Sequence, residues 1–107
     1  MVNIIKINDA ILVKLKGDLD HHSAEEIRQE IDEEIQKSRP KKLIFDFSRV
    51  TFMDSSGIGV VMGRYKQIKA YGGDMCFIGI NNHIDKLVAV SGLLKIIPAF
   101  DTLDEAI

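Results

Sequence analysis

The chain has no tryptophan, one cysteine and only two prolines in 107 residues. Its single thiol, Cys76, has no internal partner, which argues against a disulfide-stapled secreted scaffold. Cys76 lies in the apolar run MCFIGI (Met75–Ile80), so it reads as a core thiol rather than a reactive one. No apolar run reaches the roughly 18 residues that a membrane span needs. The opening stretch MVNIIKINDAILVK lacks a basic segment followed by a long apolar one, so no signal peptide is read there. An excess of one charge is missing too: 14 basic residues face 16 acidic ones, for a net charge of −2. The lysines are scattered and form no phosphate-binding stripe, so nucleic acid is not an expected partner. These absences point to a cytoplasmic protein with neither membrane nor nucleic acid as partner. What is present is a 46% hydrophobic fraction with 28% charge, enough for one modest core. No linker, low-complexity tract or clear internal repeat interrupts it, so residues 1–107 are expected to form one domain.

Apolar periodicity alternates between two and about 3.6 residues. NIIKI and AILVKLK read as two strands joined at Asn8–Asp9, a turn-forming pair. SAEEIRQEIDEEIQKS reads as a helix with an apolar stripe of Ala24, Ile27, Ile31 and Ile35, and Pro40 stops it. Ser23 and Glu26 have capping-box spacing at its start. The acids Glu25, Glu30, Asp32, Glu33 and Glu34 fall largely outside the stripe; a solvated face explains them, with an acidic docking surface as the alternative. KKLIFDFS is a third strand with Leu43, Phe45 and Phe47 on one face. A loop and a second helix follow, roughly Ser56 to Tyr71, ended by Gly72–Gly73. DMCFIGI is a fourth strand. NNHIDKLVAVSG is a third helix, capped by Asn81 or Asn82 with Gly92 past its end. LKII is a short fifth strand closed by Pro98, and a last helix begins at Asp101. Two turns of helix are marginal alone, so this one is expected to fray.

The order β-β-α-β-α-β-α-β-α implies a mostly parallel five-stranded sheet with one antiparallel edge strand. Lys14, Lys16, Asp46 and Ser48 fall on the non-apolar faces of their strands. The four helices are therefore expected mainly on the other face, leaving much of this one open.

The segment FMDSSGIGVVMGRYK (Phe52–Lys66) carries the chemistry-bearing residues. Gly59 and Gly63 are four apart in a helix, where each costs up to about 1 kcal/mol relative to alanine. Their shared face suggests close packing, with overpacking expected on substitution by valine. Ile58, Val61, Met62, Tyr65 and Ile68 form the stripe that would hold this helix down. The glycines match neither nucleotide fingerprint: position 62 is methionine in the dinucleotide pattern, and Gly63 is followed by Arg64–Tyr65 rather than GK[ST]. Asp54, Ser55 and His21 or His22 supply the residue types of a hydrolytic triad, but MDSSG lacks the first glycine of a nucleophile elbow. Asp20, His21 and His22 are consecutive, a poor arrangement for converging on one metal ion. No enzyme activity, metal or cofactor is therefore expected. A hydroxyl at an exposed helix N-terminus is instead a favourable place for a regulatory phosphate, which free amides and the helix dipole stabilise.

This loop, together with LKGDLDHHSAEEIRQEI, LIFDFSRVTFMDSSG and VSGLLKIIPAFDTLDEAI, resembles the anti-sigma factor antagonists, the bacterial STAS-domain proteins. DSSGIG…GRYK and LDHH are most similar to the sporulation branch of that family, the anti-sigma F factor antagonists. The resemblance implies a STAS strand–helix superhelix with helices mainly on one side of the sheet. It also implies partner switching: the unphosphorylated protein binds an anti-sigma factor, itself an ATP-dependent serine kinase, and frees the sporulation sigma factor. The kinase then phosphorylates one serine and releases the antagonist, and a metal-dependent phosphatase restores it. By the same resemblance the modified serine is Ser55, and Asp20, His21, Asp54, Ser56, Gly57 and Ile58 form the docking surface. A nucleotide- or small-molecule-sensing STAS module is the alternative.

Overall fold

A computed structural model describes residues 2–107. Strand β1 (Val2–Ile7) turns at Asn8, whose φ is +54°, into β2 (Ala10–Leu19). Helix α1 (Ala24–Ser38), β3 (Lys42–Met53), α2 (Ser55–Ala70), β4 (Asp74–Ile78), α3 (Asp85–Val90), β5 (Ala99–Phe100) and α4 (Leu103–Ala106) follow. The sheet runs β1-β2-β3-β4-β5; β1 and β2 are antiparallel and every other pair is parallel. This is the fold class expected from the sequence.

The main core lies on one sheet face. Ile11, Val13 and Leu15 of β2 and Leu43, Phe45 and Phe47 of β3 pack with Ile27, Ile31 and Ile35 of α1 and with α2. The rings of Phe45, Phe47 and Phe77 form its centre, with centroids 5.3 to 6.5 Å apart. The other face carries a smaller cluster of Leu12, Ile44, Cys76, Ile78 and Ala106, covered by α4. Lys14, Lys16 and Ser48 on that face are exposed and Asp46 is half-buried, so the part of this face formed by the later residues of β2 and the middle of β3 is open as expected.

Several local expectations are corrected. LKII is not a strand: Leu93–Lys95 form a 3-10 turn, and Ile97 N–H donates to the Leu93 carbonyl at 2.8 Å. The i, i+4 pair Leu93 and Ile97 is buried, so a helical turn satisfies the apolar pattern better than alternation does. The two-residue β5 comes after Pro98 rather than before it. The Ser23–Glu26 capping box does not form; the Ser23 hydroxyl donates to the Asp18 carbonyl at 2.7 Å instead. Helix α3 starts later, after Ile84, because Asn81 caps a preceding turn through His83 N–H at 2.8 Å. The last helix begins at Leu103, not Asp101. Thr102 caps it, and Glu105 closes a reciprocal capping box.

Candidate functional site

Parallel pairing brings the C-terminal ends of β2 and β3 side by side, with Leu19 beside Met53. The chain leaving β2 carries Asp20 and His21, and the chain leaving β3 carries Asp54 and Ser55. The sheet itself thus collects residues 34 positions apart in sequence. The expected loop before α2 is almost absent. β3 runs through Phe52 and Met53, α2 opens at Ser55, and Asp54 alone joins them.

Asp54 is the N-cap of α2, in extended conformation with φ −121° and ψ −169°. One carboxylate oxygen accepts the Ser56 N–H at 2.8 Å, and the other accepts the His21 N–H at 3.3 Å. Its own N–H donates to the Leu19 carbonyl at 3.3 Å. A single side chain therefore ties the start of α2 to the start of α1. Both recorded partners of this carboxylate among the described residues are backbone amides, not the imidazole that a hydrolytic triad would require.

Asp20 organises the other half. Its Oδ1 accepts the His22 N–H at 2.9 Å and the Ser23 N–H at 3.1 Å, forming the turn that launches α1. Partial burial pushes the Asp20 carboxyl up. The Ser23 and His22 amides, the nearby His22 imidazole and the Ser23 hydroxyl together outweigh that and hold its pKa below the ordinary carboxylate value.

Ser55 is exposed at the first position of α2. Ser56 and Ile58 are half-buried, and Ile58 packs against the core edge. Gly57 is buried for a steric reason: a β-carbon there would lie 2.6 Å from Met53 Cγ and 2.8 Å from the Leu19 carbonyl oxygen. Gly59 and Gly63, expected to pack closely, have nothing within 4 Å of such a β-carbon. The buried face of α2 is instead Gly57, Val60, Val61, Arg64 and Ile68, with Met62 and Tyr65 at its margins. The expected stripe was rotated because it gave no place to Val60 or to a buried arginine.

Three features escaped the sequence reading. Phe52, one residue from Asp54's neighbour Met53, is 50% exposed and places a large apolar ring beside the site. Thr51 Oγ1 donates to the Asp18 carboxylate at 3.1 Å, cross-bracing the two strand ends. Asn81 Nδ2 donates to the carbonyls of Phe47 at 3.0 Å and Val50 at 2.9 Å, occupying the β3 edge beyond the end of β4. Strand alternation from buried Val50 would bury Phe52; the register shift between Gly17 and Asp18 is what leaves Thr51 and Phe52 both exposed, and the Asn81 contact depends on tertiary proximity. Among the described residues no cluster of three or more metal-ligating side chains is present. No helix among them is long and apolar enough to cross a membrane.

The STAS domain model matches residues 1–106. The anti-sigma F factor antagonist of Paenibacillus polymyxa is 41% identical over 91 residues, covering 85% of this chain and 78% of that protein. The solved structure of the anti-sigma factor antagonist SpoIIAA in its unphosphorylated form superposes with a TM-score of 0.86 at 31% identity, over 99% of this chain and 92% of that one. The Bacillus cell fate determinant SpoIIAA in its phosphorylated form gives 0.78 at 31% identity, over 99% and 96%.

Proposed function

The chain belongs to the STAS domain family, with anti-sigma factor antagonists among its relatives, and on that premise we propose that it is a phosphorylation-gated antagonist of an anti-sigma factor. In its unmodified form it binds an anti-sigma factor that is also a serine kinase, and so frees a sporulation sigma factor. Phosphorylation of Ser55 ends that binding, and a metal-dependent serine phosphatase reverses it. The setting is the cytoplasm.

The observation that carries this reading is the placement of Ser55. Its hydroxyl is exposed at a helix start, one residue from a carboxylate that holds both halves of the surface together. A phosphate there adds about −1.5 to −2 charge. It competes with Asp54 for the Ser56 N–H and repels both Asp54 and the anionic Asp20. The surface formed by Asp20, His21, Asp54, Ser56, Gly57 and Ile58 then changes its potential at the centre of the docking site. Incubation with the cognate kinase and ATP is expected to place one phosphate on Ser55, read by mass spectrometry. Ser55→Ala should bind and resist release, whereas Ser55→Asp should weaken binding only in part, having one charge and no phosphate geometry. Phosphate on Ser56, or wild-type binding by Ser55→Asp, would overturn the reading.

A further inference from the structure

Strand β1 is an edge of the sheet, paired with β2 on one side and with no strand on the other. The two-residue turn at Asn8–Asp9 closes on Ile7 and Ala10, a pair that hydrogen-bonds to each other. Alternation then sends the N–H and C=O groups of Ile7, Ile5 and Asn3 towards β2, and those of Lys6, Ile4 and Val2 outwards. Among the described residues nothing meets the outward set: the main chain of β1 hydrogen-bonds to β2 alone.

Natural sheets blunt such an edge with proline, a bulge, a very short strand or free lysines. β1 has six residues, no proline and an unbroken register with β2. Its one lysine, Lys6, is drawn back towards α1 by an ion pair with Glu34 at 3.6 Å. The opposite edge, β5, is only two residues long and offers no comparable ladder. β1 is therefore a long, regular edge without the usual guards, and such an edge is a template for another extended chain.

The surroundings select the kind of chain. Between β1 and α1 lies a depression of about 380 Å³, lined by Val2, Asn3 and Ile4 on the strand side and by Glu30, Glu33 and Glu34 on the helix side. Lys37 is the one cation lining it, and Glu30 and Glu33 have no hydrogen-bond or ion-pair partner among the described residues. On the opposite face of the strand Ile5 is 40% exposed. We propose that β1 receives an extended basic segment of a partner protein as an added strand. The main chain of that segment completes the ladder at Lys6, Ile4 and Val2. Its side chains alternate between faces, so every second one, a lysine or arginine, meets Glu30 and Glu33, while the apolar ones between them lie beside Ile5. A second copy of this chain is a poor occupant. Antiparallel pairing of two β1 strands sets both α1 helices on the same face, with their glutamates opposed. The proposal does not involve Ser55 and does not rest on the partner-switching reading.

Amide hydrogen exchange and NMR titration of the whole chain with a blocked, alternating lysine–valine heptapeptide test it. In the free chain the Ile4 and Lys6 amides are expected to exchange fast and those of Ile5 and Ile7 slowly. At saturation the peptide should slow Ile4 and Lys6 about tenfold or more. The same peptide N-methylated throughout keeps its charge but cannot donate, and it should not bind saturably. A glutamate–valine heptapeptide should not bind either. Both Glu30 and Glu33 are exposed, so Glu30→Lys with Glu33→Lys should leave the chain folded and weaken lysine–valine binding about tenfold. Absence of saturable lysine–valine binding, equal binding of the N-methylated or acidic peptide, or unchanged affinity in the double variant would each overturn the proposal. So would slow exchange of Ile4 and Lys6 in the free chain; if that protection rose with protein concentration alongside a dimer in sedimentation, the occupant would be a second copy.

Discussion

At Gly57 the backbones of α2 and of the β2 terminus approach too closely for any side chain, while Gly59, two residues on, faces open space. The same residue type therefore has opposite energetics within one turn. Gly57→Ala forces a β-carbon into Met53 and the Leu19 carbonyl and should destabilise the chain by about 1–3 kcal/mol. Gly59→Ala meets no neighbour and should stabilise it by up to about 1 kcal/mol through helix propensity. Thermal denaturation of the two variants separates them, and equal shifts in the same direction would contradict this assignment. The sequence showed that Gly59 and Gly63 share a face but not which way that face points. The direction is set by Val60 and Arg64, and a buried arginine carries no apolar signal to reveal it.

Between elements, α1 and α2 are joined by a polar contact inside an otherwise apolar seam. Arg64 Nε lies 2.9 Å from Asp32 Oδ1 as an ion pair without hydrogen-bond alignment, and Gln67 Nε2 donates to the same oxygen at 2.7 Å. The Arg64 side chain is 7% exposed. Burial pushes its pKa down, and the Asp32 carboxylate counters that. Asp32→Ala leaves this charge buried without its partner and should cost up to about 3–5 kcal/mol. Arg64→Met keeps the volume, removes the charge and should cost less than about 1.5 kcal/mol. Urea denaturation that ranked the two the other way would refute this account. The 3.6-residue pattern made α1 and its buried isoleucines legible, and capping logic made the end of α2 legible. Asp32 was hidden because an acid beside an apolar stripe looks solvated until the helix that covers it is placed. The LKII turn was hidden for a related reason: β-branched residues suit a strand, yet Leu93 and Ile97 bury best one helical turn apart.

Across the molecule, strand β3 connects two regions with different duties. Its beginning lies under α4, where Lys42 Nζ donates to the Ala106 carbonyl at 2.6 Å, and its end carries the candidate switch. The alternation of β2 and β3 made both sheet faces readable from the sequence, including the open part of the second. The proposed docking cluster was readable only through the family resemblance, because its members come together by parallel pairing that no local pattern encodes. Burial keeps Cys76 2% exposed and pushes its thiol pKa up, with Lys42 acting in the opposite direction. Removing Thr102–Ile107 should uncover Leu12, Ile44, Cys76 and Ile78, so a thiol reagent should label Cys76 faster than in the intact chain. Binding of the anti-sigma factor should persist, because the proposed contact sits at the far end of β3. Unchanged labelling would mean that α4 does not protect this face.

With Asp54 as the only residue between β3 and α2, the hydroxyl of Ser55 is mounted on a joint that has no slack. Such a surface reaches its partner already shaped, so little additional chain entropy is lost on association. Under the proposed switching, a phosphate on Ser55 would act first as charge and excluded volume on a surface that is already shaped, and an encounter would be refused as quickly as it is tried.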